Sequence, residues 1–452
     1  MDNITRQIAN FAAAITFDQL PEEVITAATR YLIDTLACAV AAHDCEPARI
    51  GLQLARGAVP ERYPGRILLH GERSTAELAS FVNTAMIRNL DFNDQYPGGH
   101  PSDCLGALLA IAETAGADGQ RLLSSIILAY ELFVRISDAT GLRYKGWDQG
   151  FAIGICTAAA VGYLLHLTPE KIGEAVAITT VANIPMRNTR AGELSLWKGA
   201  ATSYATRNGV FAAILAAEGM TGPDRPFEGK HGLWDLITGP FELEPLPTNK
   251  GPFRSLDVQF KYWPVEYNAQ LPIWAALDLR SKVDWRDLVD IEIGTYTFAF
   301  TEIGSEPEKW DPKTRETADH SLPYIFARAL VDGIISLATF EEPAYRDPAL
   351  RPLMARIRVH CDDEVNALYP KSVSIKVKAR SKDGRTITIF PRDPLGHTNN
   401  PMKDQDISTK FRQCAESKLG KERTSTALQH WWNTKAASVS ALSQAVKILE
   451  VG

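Results

Sequence analysis

At 452 residues the chain has room for about three average domains and a large buried core. Apolar residues make up 45% and charged residues 23%, which excludes a disordered chain, a collagen-like fibre and a disulfide-rich miniprotein. A formal charge of −6, from 48 basic and 54 acidic residues, argues against non-specific nucleic-acid binding, so positive charge for an anionic ligand has to be local.

The segment Met1 to Thr5 has no charged stretch leading into a long apolar run, so no secretory signal is read there. From about residue 5 to 222 the sequence predicts a succession of helices. Pro21-Glu22-Glu23 opens one over Val24 to Ala41, with acids at the positive helix end. Ser74 is expected to cap a helix from Thr75 to about Leu90, and Ser102 one from Asp103 to Ala115 that stops at Gly116. The apolar run Phe151 to Leu165, about 15 residues, falls short of the ~20 of a membrane span and reads as a buried helix. Thr168-Pro169-Glu170 begins another, continuing to about Ala182, and Arg207 to Glu218 is the next, ended by Gly219.

The texture changes after about residue 268. Val289 to Thr301 predicts a strand, and Leu322 to Asp332 a helix. Val373, Ile375 and Val377 alternate with polar residues, Asp383-Gly384 supplies a primed turn, and Thr386 to Ile389 completes a hairpin. Ile407 to Leu449 returns to helix, broken near Gly420. The expected fold is mainly α: an all-helical domain over 1–268, a smaller α+β lid over 269–395, and C-terminal helices over 396–452 that return to the first domain.

The cysteines, Cys38, Cys45, Cys104, Cys156, Cys361 and Cys414, form no C-x-x-C and suit neither a zinc site nor a cluster-binding triplet. Most sit in apolar helical stretches, and a reducing, cytoplasmic compartment is expected. There is no G-x-S-x-G elbow, P-loop or dinucleotide fingerprint, and the histidines form no metal-spaced pair.

The densest chemical block is Asp91-Phe92-Asn93-Asp94-Gln95-Tyr96-Pro97-Gly98-Gly99-His100-Pro101-Ser102. It places two carboxylates and a histidine in a Gly/Pro loop between apolar helices, with His100 just before a helix start, where free N–H groups attract anions. Arg187 to Gly199, with Arg207-Asn208-Gly209, concentrates cations that suit a polycarboxylate; a solvated loop explains the same residues. Further blocks are Gly146-Trp147-Asp148-Gln149-Gly150, where Asp148 also suits helix capping, Lys261-Tyr262-Trp263-Pro264-Val265-Glu266-Tyr267-Asn268, and Thr314 to Tyr324 with Asp319-His320-Ser321.

Taken together and in this order, these blocks resemble the MmgE/PrpD family, which includes 2-methylcitrate dehydratase and cis-aconitate decarboxylase. The resemblance spans nearly the whole chain and implies a large helical domain with an α+β lid, a homodimer, no metal and no cofactor. The Trp147-Asp148-Gln149 and Arg315-Glu316-Thr317-Ala318-Asp319-His320-Ser321 blocks look more like the bacterial methylcitrate dehydratase branch, which serves propionate metabolism. The decarboxylase branch commonly has a histidine near Asp148 and a lysine near Arg207, and many members carry a histidine where Asn268 stands.

The reaction implied is β-elimination of water from a 2-methylcitrate-like or citrate-like tricarboxylate. Asp91 and His100 are the expected acid–base pair, Tyr324 a donor to the leaving oxygen or a carboxylate holder, and Lys198 and Arg207 the neutralising cations. Asp94, Gln95, Asp148, Asn268 and His320 complete the expected substrate contacts. The pocket is expected between the two domains, Asp91 and His100 on one wall and Tyr324 near the other. The alternatives are decarboxylation of cis-aconitate, epimerisation of a small dicarboxylate, and a non-catalytic helical binding protein. Neither nucleic acid nor membrane is an expected partner.

Overall fold

The computed structural model describes residues 1–58, 60–247 and 251–451. The chain divides into two compact units. The larger comprises Met1–Thr189, Gly199–Val258 and Lys403–Gly452; the smaller comprises Arg190–Lys198 and Gln259–Met402. Relative to the expected division, Arg190–Lys198, the segment from Gln259 to Asn268 and residues 396–402 belong to the smaller unit.

The larger unit is helical: α1 (Asn3–Ala14), α2 (Glu22–Ala41), α3 (Glu46–Ala55), α4 (Ala76–Arg88), α5 (Leu105–Ala112), α6 (Gly119–Thr140), α7 (Gly150–Leu164), α8 (Pro169–Ala182) and α9 (Trp197–Ala217), whose first two residues fall in the smaller unit. The helices Asp404–Leu419, Lys421–Trp432 and Val439–Ile448 return to it, the first packing along α2. Short polar side chains start several helices: the Asp2, Asp118 and Thr168 side chains accept the N–H groups of Thr5, Arg121 and Lys171. Among the described residues α2 alone is long and apolar enough to cross a membrane, and most of it is buried against α4, α6 and the C-terminal helices.

Three expectations are corrected here. Ser74 lies in a short antiparallel ribbon, β1 (Pro64–Arg66) with β2 (Arg73–Thr75), and its hydroxyl donates to the Ala55 carbonyl instead of capping α4. Ser102 sits inside a 3₁₀ turn, Pro101–Cys104, ahead of α5, because its hydroxyl is taken by Asp94. α9 begins at Trp197, ten residues earlier than Arg207, and runs unbroken through Gly209. A Cβ there would stand 2.7 Å from the Gly154 carbonyl oxygen, so this glycine lets α9 and α7 approach closely.

The smaller unit is built on a four-stranded sheet of order β4-β3-β5-β6. β3 (Leu288–Thr295) pairs in parallel with β4 (Ile357–Cys361) and antiparallel with β5 (Lys376–Ser381), which continues through Asp383-Gly384 into β6 (Thr386–Ile389). Gly384 takes φ +86°, as the tight turn requires. Val377 and Ala379 of β5 join Leu288, Ile291 and Ile293 of β3 in a core closed by α10 (Gln270–Lys282) and the helix Leu322–Asp332. β4 escapes a sequence reading because it is short and partly exposed.

Close approach of α4 and α5 underlies the loop that follows α4. A Cβ on Gly106 of α5 would stand 2.6 Å from the Thr84 nitrogen and 2.9 Å from its Cα, backbone that cannot swing aside. Gly106→Ala is expected to cost about 1–3 kcal/mol of stability through overpacking, measured by urea unfolding.

Candidate active site

The expected site residues fall into two groups, one in each unit. In the larger unit, α4 ends at Arg88, and the chain reverses through Asp91, which adopts φ +49°. This turn brings the Asp91 carboxylate back onto the Arg88 guanidinium, with Nη1 3.0 Å from Oδ1 and Nη2 3.2 Å from Oδ2. Nη2 makes the hydrogen bond, and Nη1 adds a charge contact. Arg88 Nε is also 3.8 Å from Asp103 Oδ2, and all three side chains are buried.

His100 stands on the other side of Asp91. Its Nδ1 lies 2.5 Å from the Asp94 backbone carbonyl. A carbonyl can only accept, so Nδ1 carries the hydrogen and Nε2 is the basic nitrogen of the neutral ring. Nε2 is 3.7 Å from Asp91 Oδ1. The backbone N–H of His100 donates to Gln149 Oε1 at 2.9 Å. Gly99, at φ +144°, makes room for this contact, because a Cβ there would overlap the Gln149 amide. The loop tip is held by reciprocal Tyr96–Gly99 backbone hydrogen bonds, by Arg143 donating to the Pro97 carbonyl, and by Tyr96 donating to Asp138, which Arg254 also contacts.

Asp94 does not fit the expected role of a substrate contact. It is fully buried, and its Oδ1 accepts the Ser102 hydroxyl at 2.5 Å. Burial pushes its pKa up to about 7, while the Ser102 hydrogen bond and the neighbouring Tyr130 hydroxyl oppose the rise and the charges of Asp34 and Asp103 add to it. Gln95 turns its amide onto the adjacent Tyr96 carbonyl at 2.8 Å. Asp148 accepts the Gly150 N–H at 3.1 Å, the local turn contact that capping predicts. Arg207 is half-buried on α9, its guanidinium 5.7 Å from the Tyr204 ring centre and 3.3 Å from Asn208 Oδ1.

In the smaller unit Lys198 and His320 meet at a residue sequence reasoning did not select, Asp319. His320 Nδ1 lies 2.5 Å from Asp319 Oδ1, Lys198 Nζ is 3.6 Å from the same oxygen, and Arg315 Nη1 is 3.3 Å from Oδ2. Burial alone would raise the Asp319 pKa, but Lys198, His320 and Arg315 outweigh it and hold the carboxyl below its usual value. The carboxylate thereby fixes the His320 ring with hydrogen on Nδ1, the way a buried acid orients a catalytic histidine.

Two expected residues of this unit are corrected. Tyr324 is fully buried, packs against Phe340 at 6.2 Å and donates its hydroxyl to the Thr339 carbonyl, so it is a core residue and not an available proton donor. Burial raises its pKa to about 12. Asn268 gives its backbone and side-chain N–H to Glu266 at 2.6 and 2.7 Å and accepts from the Tyr296 hydroxyl, which commits it to shaping the entry to α10.

Arg88 and Asp103 lay outside the blocks the sequence flagged, whereas Gln149, Arg315 and Asp319 lay inside them without an assigned role. Among the described residues no three His, Cys, Asp or Glu side chains converge as a metal site. A cavity of about 650 Å³ in the larger unit, lined by Phe17, Arg121, Tyr163 and His166 among others, does not include Asp91 or His100.

Comparison with known proteins adds to this geometry. The model of the MmgE/PrpD N-terminal domain matches residues 6–246, and that of the MmgE/PrpD C-terminal domain matches residues 263–434. A 2-methylcitrate dehydratase of Cupriavidus necator is 26% identical over 426 residues, covering 84% of this chain and 86% of that protein. The 2-methylcitrate dehydratase of Escherichia coli strain K12 is 26% identical over 400 residues, covering 81% and 80%. The cis-aconitate decarboxylase of Homo sapiens is 24% identical over 474 aligned positions, covering 100% and 92%.

The raised Asp94 pKa has a sign. The unfolded carboxyl ionises near 3.8 and the folded one near 7, so the contribution to stability is full below the lower value and is lost as pH rises through the upper. Asn at this position mimics the protonated acid and does not titrate. Between about pH 5 and pH 8 the wild type should therefore lose on the order of 2 kcal/mol relative to Asp94→Asn, read from paired urea unfolding curves.

Proposed function

The chain belongs to the MmgE/PrpD family, and from that membership we propose that it is a carbon–oxygen lyase that eliminates water from 2-methylcitrate or a citrate-like tricarboxylate to give a cis-aconitate-type alkene. The observation that carries the chemistry is the pairing of His100 Nε2 with the Asp91 carboxylate at 3.7 Å, with the ring tautomer set by the Asp94 carbonyl. Elimination breaks a C–H bond beside a carboxylate and a C–O bond on the next carbon. One group must take the carbon-bound proton, its electron pair forms the double bond, and another must give a proton to the departing hydroxyl.

Asp91 and His100 are the candidates for these transfers. Asp91 stays in reach of its partner because Arg88 grips it from behind. His100 can move a proton at Nε2 without changing orientation, since Nδ1 stays bound. In the smaller unit, His320 oriented by Asp319, with Lys198 and Arg315 beside it, offers positive and hydrogen-bonding groups of the kind a polycarboxylate needs. The donor set needs no metal for this elimination. The same reading makes the protein a cytoplasmic homodimer serving propionate metabolism, which is the setting the family resemblance suggests.

The alternative within the family is decarboxylation of cis-aconitate, favoured by the human decarboxylase aligning along the whole chain. Product analysis by NMR separates the two: the dehydratase forms an alkene tricarboxylate without releasing carbon dioxide. Release of carbon dioxide with a dicarboxylate product, or isomerisation at constant mass, would replace the proposed reaction. On the active substrate, His100→Gln is expected to lower kcat by about 10²–10⁴-fold, with a much smaller effect on KM and melting temperature. Near-normal turnover in that variant would leave His100 a role in the turn alone.

A further inference from the structure

Lys410 lies on the C-terminal helix Asp404–Leu419, 318 residues after Phe92, yet its Nζ donates to the Phe92 carbonyl at 2.7 Å. It also pairs with Asp34 Oδ1 of α2 at 2.6 Å, and its ammonium stands 3.8 Å from the Phe92 ring centre. Both charged side chains are buried. Phe92 follows Asp91, whose φ of +49° is unfavourable for a residue with a Cβ and persists only where surrounding contacts over-determine it. Arg88 grips the Asp91 side chain; Lys410 grips the carbonyl of the next residue.

From these contacts we infer that Lys410 is a positioning residue for proton transfer. It holds the backbone at Asp91–Phe92 so that the Asp91 carboxylate stays in reach of His100 Nε2. The C-terminal helix therefore belongs to the support of the site. The inference rests on the reading of Asp91 and His100 as the proton-transfer pair and adds to it a residue that touches neither substrate nor reacting atoms. A core ion pair that only neutralised Asp34 would need no bond to the Phe92 carbonyl.

Removing Lys410 alone takes a counter-charge away from the buried Asp34, so the test uses charge-balanced doubles. Asp34→Asn/Lys410→Met removes both charges at similar side-chain length, and Asp34→Asn/Lys410→Leu is a second apolar replacement should the first not fold. Asp34→Asn/Lys410→Gln restores an N–H donor toward the Phe92 carbonyl. Melting temperature identifies the folded variants. The readout that needs no substrate is the NMR titration of the ¹³Cε1-labelled His100 ring, assigned by its loss in His100→Gln.

In the folded apolar double the His100 midpoint is expected to move by about half a pH unit or more, as its distance to the Asp91 charge changes, and to return toward wild type in the Gln double. On the active substrate, kcat should fall by about tenfold or more in the apolar double while KM stays within about twofold, the pattern of a displaced catalytic group. An unmoved titration in a folded apolar double overturns the inference whatever the kinetics. His100→Gln reports separately on the underlying reading: full turnover there removes the acid–base role, while the titration still decides whether Lys410 positions Asp91 against His100.

Discussion

The hydrogen bond from His100 Nδ1 to the Asp94 carbonyl is the constraint from which the site in the larger unit is assembled. It settles which ring nitrogen is basic and aims that nitrogen at Asp91. To accept this bond the Asp94 backbone must be fixed, and the fixing is done by its own buried side chain, tied to Ser102 on the far side of the loop. Gln149 then holds the His100 N–H, through a gap that only a glycine at position 99 leaves open. The loop is thus rigid for reasons traceable to single atoms, and its placement follows from two helices packed closely enough to exclude a methyl group at Gly106.

Both units solve the same electrostatic problem in the same way. A buried carboxylate is costly unless paired, and each is paired with a cation from its own unit. Asp91 has Arg88; Asp319 has Lys198 and Arg315. In each case a histidine shares the carboxylate, at 3.7 Å for His100 and 2.5 Å for His320. The shorter contact makes Asp319 an orienter of its ring. The longer one lies outside hydrogen-bond range, so Asp91 does not lock the His100 ring.

The helical bulk of the larger unit and the Asp-Gly hairpin of the smaller one were legible because periodicity, caps and turn residues act locally. That Asp91 and His100 lie together was legible for a related reason: both stand in one short Gly/Pro loop between apolar helices. Arg88 was hidden because its part depends on a chain reversal at Asp91 that no helix periodicity encodes. Gln149 reaches His100 across 49 residues, and Lys410 reaches Phe92 across 318, separations at which a single sequence carries no contact signal. Tyr324 misled because a tyrosine beside a histidine invites a chemical role. Its place was already set by Ser321, which caps the helix and sends the ring of the third residue into the core. Asn268 was read as a departure in chemistry, whereas its amide is spent on Glu266 and Tyr296.

The His100–Asp91 geometry turns on a single hydrogen position, and ¹⁵N NMR of ring-labelled histidine observes it directly. With the neutral form of His100 assigned by comparison with His100→Gln, Nδ1 should show the shift of a protonated nitrogen and Nε2 that of a bare, basic one. The opposite tautomer, with hydrogen on Nε2, would mean that the Asp94 carbonyl does not hold the ring as described. It would then remove the geometric basis for His100 and Asp91 as the proton-transfer pair.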